Sequence, residues 1–121
     1  MYQLIFIGTG NAFYDKKDNY QSNVIIIAPN GNKLLIDCGG DARRALNELN
    51  FTYQDITNVF ISHLHADHIG GLEWLALARY FDPATANANL YCPDTIVESL
   101  WDTCLKGGWP VLDRPLAYYL F

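Results

Sequence analysis

"FISHLHADHIGGLEW", residues 60–74, contains every histidine of the 121-residue chain: His63, His65 and His68, with Asp67 among them. Three imidazoles and a carboxylate within six positions are the ligand types of zinc, manganese and iron. The spacing adds to the composition. In extended backbone, positions i and i+2 point to the same side, so His63 and His65 can reach one ion. Asp67 and His68 follow where the chain turns toward a helix at the Gly70-Gly71 pair, and can serve a second ion. Leu64 and Ala66 are expected to face the core. The plain alternative is a set of surface loop histidines. A run this dense, closed by two glycines, reads instead as a metal site.

Working outward, "NVFIS" (58–62) is a short continuous apolar run, the mark of a buried strand. The cluster therefore leaves the end of a strand, where α/β sheets usually build their sites. "GGLEWLALARYF" (70–81) reads as a helix apolar nearly all round, which should be covered on more than one side. Upstream, Ala42, Ala45, Leu46 and Leu49 recur at helical spacing, with Asp41 placed to cap the N-terminus. "NVIIIA" (23–28) and "KLLIDC" (33–38) read as strands around Asn30-Gly31, which predicts a two-residue type I′ hairpin turn. "YQLIFIG" (2–8) is a first strand, followed by a long polar loop of the length that is often functional.

Downstream, "NLYC" (89–92) is a further strand, and Thr95-x-x-Glu98 has the pattern of a capping box. Ile96, Val97, Leu100, Trp101 and Cys104 give that helix an inner face, and Lys106-Gly107-Gly108 with Pro110 stops it. The tail "VLDRPLAYYLF" (111–121) is apolar and carries no terminator. Hairpin-linked strands followed by strands alternating with helices predict an α/β layered domain with a mixed sheet.

Half of the residues are apolar or aromatic and the net charge is −5. That describes one folded domain with one core. It also argues against this chain alone gripping a nucleic-acid backbone, which needs concentrated Lys and Arg. The densest basic spots, Lys16-Lys17 and Arg43-Arg44, read as a solvated loop and a solvated helix face. No apolar run is long enough to span a bilayer and the start lacks the form of a secretory signal, so the expectation is a cytoplasmic protein without membrane contact. Cys38, Cys92 and Cys104 are odd in number, widely spaced and free of any CxxC pair, and read as reduced, mostly buried thiols.

"His63-Leu64-His65-Ala66-Asp67-His68" matches the HxHxDH motif of the metallo-β-lactamase superfamily. "LIFIGTGNA", "QSNVIII", "LLIDCGGDARRAL" and "ITNVFISHLHADHIGGLEWL" together resemble ribonuclease Z and its phosphodiesterase relatives over most of residues 1–80. The resemblance implies an αββα sandwich, with a mixed sheet flanked by helices, and a two-zinc centre. His63 and His65 would hold the first ion, Asp67 and His68 the second; manganese or iron are the alternatives. Asp67 would also steer or deprotonate the attacking water, and Asp37 would support the site by hydrogen bonding, or else cap the Gly39-Gly40 turn. Gly8-Thr9-Gly10 would leave room for substrate or site backbone, or form an ordinary tight turn.

The chain departs from that pattern after His68, where no further histidine occurs. The family's third histidine for the first zinc, a bridging aspartate and a last histidine normally come from farther downstream. Glu73, Asp82, Asp94, Glu98, Asp102 and Asp113 lack a matching context. Residues 1–121 thus read as a single metallo-β-lactamase-like domain, incomplete on its C-terminal side, without the arm by which ribonuclease Z grips tRNA. Three explanations stay open: a portion of a longer enzyme, a site completed by a second copy or another polypeptide, or a remnant with a non-catalytic role. The implied function is zinc-dependent hydrolysis of a phosphodiester, in an RNA 3′ end or a small or cyclic nucleotide. The alternatives are hydrolysis of a thioester, lactam or lactone, and a metal-binding assembly module.

Overall fold

The computed structural model describes residues 1–108 and the backbone of 117–120. Six strands form one sheet in chain order: β1 Gln3–Gly8, β2 Asn23–Ile27, β3 Lys33–Ile36, β4 Asn58–Phe60, β5 Asn89–Cys92 and β6 Ala117–Leu120. The first three pair antiparallel, and β3 to β6 pair parallel. Parallel neighbours need crossovers. Helix α1 (Ala42–Glu48) links β3 to β4, α2 (Ala66–Ile69) and α3 (Leu72–Tyr80) link β4 to β5, and α4 (Asp94–Ser99) follows β5. This is the arrangement expected of half of an αββα sandwich.

Strand alternation divides the sheet into two unlike faces. Ile7, Ile25, Leu35, Val59, Leu90 and Cys92 point to the helices and form the core with Ala42, Leu46, Leu72, Leu75, Leu100 and Trp101. The opposite face carries Leu4, Phe6, Val24, Ile26, Leu34, Ile36, Phe60 and Tyr91, which fall in register across the ladder. Leu4 and Phe6 are 61% and 63% exposed. A depression of about 410 Å³ opens on this face between Leu34, Asn58, Phe60 and Tyr91. A contiguous bare apolar face of this kind normally packs against something; in an αββα sandwich it is the seat of the second sheet.

Local details differ from the sequence expectations. The β2–β3 connection is not a two-residue type I′ turn. Ala28 and Asn32 pair, and only Gly31 has positive φ (86°). Pro29 fixes φ near −65° at the first turn position, which excludes type I′ and leaves a three-residue loop with glycine in the left-handed position. Asp41 stands at the N-cap of α1 but does not cap it: its carboxylate accepts the backbone N–H of Gln21 (3.0 and 3.2 Å). The other end of α1 closes through Asn50 (φ 60°), with Asn50 N–H on Asn47 O and Phe51 N–H on Leu46 O.

Thr95 and Glu98 form no capping box. Pro93, with φ −56°, starts α4 at Asp94 and places Thr95 inside the helix. The chain then widens into a π-helical stretch, Leu100–Leu105, and a 3₁₀ turn, Lys106–Gly108. The stop at Pro110 and the carboxylate of Asp113 lie outside the described residues. Among the described residues, no helix is long and apolar enough to cross a membrane.

Candidate metal centre

The HxHxDH run leaves β4 and coils at once into α2, a helix of four residues with His65 at its N-cap. Ala66 is therefore exposed rather than turned to the core, while Leu64 packs against it as expected. The coil gathers the side chains. His63 and His68 rings lie 4.0 Å apart between centroids, and His63 and His65 4.6 Å. His63 Nε2 faces His65 Nδ1 at 3.2 Å, and His68 Nε2 faces Asp67 Oδ2 at 3.2 Å.

These two distances can be tested against a metal. With Zn–N bonds of about 2.05 Å, two ligands of a tetrahedral ion stand about 3.3 Å apart. Each pair has that separation, so each fits as two donors of one ion. Among the described residues no three His, Cys, Asp or Glu groups converge on a single point. The described residues thus present two adjacent pairs of donor atoms, not a closed cage.

Asp37 braces the cluster. It ends β3 in the left-handed region (φ 62°), a conformation Asp tolerates better than most residues, and is 6% exposed. Its Oδ1 accepts the Ser62 N–H (2.8 Å), the Ser62 hydroxyl lies 2.9 and 2.8 Å from its two oxygens, and its Oδ2 accepts His68 Nδ1–H at 2.7 Å. The carboxylate does not cap the Gly39-Gly40 turn. It orients the His68 imidazole through Nδ1, with Nε2 turned to Asp67.

Backbone contacts lock the same turn to the motif. Cys38 N–H donates to His68 O (2.7 Å), and Gly71 N–H donates to Cys38 O (2.8 Å). A Cβ on Gly39 would lie 2.2 Å from Asp67 O, and one on Gly71 2.4 Å from Gly39 O, so only glycine permits this approach. Asn23, fully buried at the head of β2, accepts from Gly39 N–H and donates to Gln21 O. Gly8, by contrast, sits against the backbone of Tyr20 and Gln21, as part of a loop closure rather than of the centre. Gly10 does the same against Tyr14 and Tyr20.

The remaining candidates lie elsewhere. Cys38 is wholly buried, and burial together with the Asp37 charge pushes its thiol up to about 12. It keeps its proton near neutrality, unlike a thiolate ligand. Burial also raises Cys92. Asp82 is held far below the usual carboxylate range, first by the Thr85 hydroxyl and then by Gln54 and the Ala84 N–H. With buried Arg79, which donates to the carbonyls of Ala86, Tyr53 and Gln54, it clamps the loop after α3. Sequence reasoning missed Ser62, Asn23 and Arg79. A polar residue at an inward strand position was the available signal for Asn23. Nothing comparable marked Ser62.

The family model described as "Anti-Pycsar protein Apyc1" matches residues 2–116. A relative of that name from Bacillus phage 010DV004 is 42% identical over 106 residues, covering 88% of this chain and 40% of its own length. Among solved structures, the metallo-β-lactamase fold protein YhfI of Bacillus subtilis aligns over 100% of this chain and 46% of its own (TM-score 0.76, 19% identity). The short form of human tRNase Z aligns over 99% of this chain and 43% of its own (TM-score 0.69, 26% identity). The chain spans about two fifths of the length of the curated relatives it matches. The fold is that of the metallo-β-lactamase proteins, and by the match that runs through almost all of its residues the chain belongs to the Anti-Pycsar protein Apyc1 family.

Proposed function

We propose that the chain carries the first half of a two-metal phosphodiesterase centre, acting on a small or cyclic nucleotide phosphodiester, and shares the anti-Pycsar role stated in its relatives' name. One observation carries the metal reading. His68 Nδ1 is spent as a donor to Asp37, so Nε2 bears a lone pair, yet it faces a carboxylate oxygen at 3.2 Å. Two acceptors at that distance repel unless a cation or a proton lies between them. Zinc suits the mixed imidazole and carboxylate set, with manganese or iron as substitutes. His63 and His65 would hold one ion, and Asp67 and His68 the other.

When bound, such ions bring water toward hydroxide near neutral pH and offset the charge that grows on the phosphoryl oxygens. Asp67 supplies the remaining chemistry from this chain: Oδ2 turns toward His68, and Oδ1 takes the proton of the attacking water. Asp37 keeps His68 in the tautomer that leaves Nε2 bare. The net charge of −5 supports a compact substrate over a long polyanion. The donors still needed come, under this reading, from a second sheet layer seated on the bare face of Leu4, Phe6, Leu34 and Phe60, supplied by more of the same polypeptide or by a second copy.

The test is turnover of cyclic nucleotides, an aryl phosphodiester, a pre-tRNA and a lactam by zinc-loaded protein, with and without chelator. Chelator-sensitive cleavage of the cyclic nucleotides, lowered about 10²–10⁴-fold in Asp67→Ala, is expected. Metal-loaded protein with that second layer in place, as a dimer or with the rest of the polypeptide, that turns over none of them refutes the proposal in favour of a binding module. Preference for the lactam would move the chain to another hydrolase class.

A further inference from the structure

We propose that Ser62 is a positioning residue for the first metal position, fixing which nitrogen of His63 is free to ligate. The inference rests on the metal reading above only for its consequence; the geometry stands by itself. Ser62 Oγ lies 2.9 Å from Asp37 Oδ1, 2.8 Å from Asp37 Oδ2 and 3.0 Å from His63 Nδ1. An ionised carboxylate only accepts, so the single hydroxyl proton of Ser62 goes to Asp37. What the hydroxyl offers His63 is then a lone pair, and His63 Nδ1 must carry the proton that fills it.

The opposite assignment fails on the same distances. If His63 were protonated on Nε2, its Nδ1 would need the Ser62 proton. The hydroxyl lone pairs would then face two carboxylate oxygens at under 3 Å with no hydrogen between. The Ser62 hydroxyl therefore transmits the Asp37 charge to His63 and leaves Nε2 bare, facing His65 Nδ1 at 3.2 Å. Asp37 meanwhile acts on His68 directly. One buried carboxylate thereby sets the tautomer of one ligand at each metal position. It does so through a hydroxyl on one side and by direct contact on the other.

The two routes separate in an experiment that needs neither metal nor substrate. Long-range ¹⁵N–¹H correlation spectra of the metal-free protein, recorded above the imidazole titration range, report the proton on each ring nitrogen. Wild-type protein is expected to show His63 and His68 both protonated on Nδ1. Ser62→Ala removes only the hydroxyl, since the Ser62 N–H still reaches Asp37. It should move His63 toward the Nε2–H form and leave His68 unchanged, and Ser62→Thr should restore His63. The unchanged His68 signal shows that the variant is folded. In zinc titrations, Ser62→Ala should weaken binding about 10–100-fold and Ser62→Thr should recover it.

A wild-type His63 protonated on Nε2 overturns the proposal, and this needs no variant to fold. So does a His63 that stays protonated on Nδ1 in Ser62→Ala. Loss of phosphodiesterase turnover in the wild type with this tautomer pattern intact would remove the activity reading alone.

Discussion

Gly39→Ala tests how the turn after β3 holds the motif. The new Cβ would stand 2.2 Å from the Asp67 carbonyl oxygen and 2.6 Å from Gln21 Oε1, against a floor of 3.0 Å for real contacts. The Gln21 amide is the end of a side chain and can swing away. The Asp67 carbonyl is backbone in α2, tied to the same turn by the 2.7 Å bond from Cys38 N–H to His68 O. The motif and the turn must therefore part by close to 1 Å. Overpacking of this kind costs about 1–3 kcal/mol, a Tm lower by roughly 3–15 °C for a domain of this size. The displacement shifts Asp67 and His68; under the metal reading proposed above, zinc affinity should then fall about 10–100-fold, as when a ligand loses its support. Calorimetric melting and zinc titration read the two effects. Gly31→Ala is the control: its Cβ meets nothing within 4 Å, but φ is 86°. It should cost about 1 kcal/mol of backbone strain and leave zinc affinity untouched. Unchanged melting and unchanged zinc affinity in Gly39→Ala would refute the close-approach argument.

Asp37→Asn keeps the left-handed backbone but turns one acceptor into a donor; His68 should switch tautomer and zinc affinity should drop about 10–100-fold with only a small change in Tm, as titration and melting will show. Arg79 is 3% exposed and donates to three carbonyls, so Arg79→Ala should destabilise the fold by about 3 kcal/mol or more in urea melts, while zinc affinity below the transition is retained. Cys38 makes stability depend on pH at the alkaline end. Its folded thiol is raised to about 12 from an ordinary value near 9, so its contribution is whole below pH 9 and is lost as pH rises toward 12. The slope is about 1.4 kcal/mol per pH unit for this group alone, and Cys38→Ala should flatten the stability curve there.

The cluster was legible because its four side chains are neighbours in sequence, so spacing alone brings His63, His65, Asp67 and His68 together. Asp37 was legible only through family resemblance: it stands far back in the sequence at the end of another strand, and no local pattern says where its carboxylate points. Ser62 was illegible for a related reason, since a serine at a strand end carries no signal until the carboxylate it touches is placed. The turn at Asn30-Gly31 was misread because Pro29 forbids the φ that the dipeptide favours, and the capping box because Pro93 starts α4 first. The strands held more than was drawn from them. "NVIII" and "KLLI" are apolar at every second position and between, the pattern of strands covered on both faces. The helices cover one face, while Leu4 and Phe6 on the other stay exposed.

The most direct test of the account is an anomalous diffraction map at the zinc edge from crystals of the zinc-loaded protein. Two adjacent peaks are predicted, one against His63 Nε2 and His65 Nδ1 and the other against His68 Nε2 and Asp67. Zinc bound elsewhere, at the cysteines for example, or no peak at residues 63–68, would contradict the assignment of this run as a metal centre and the hydrolytic function with it.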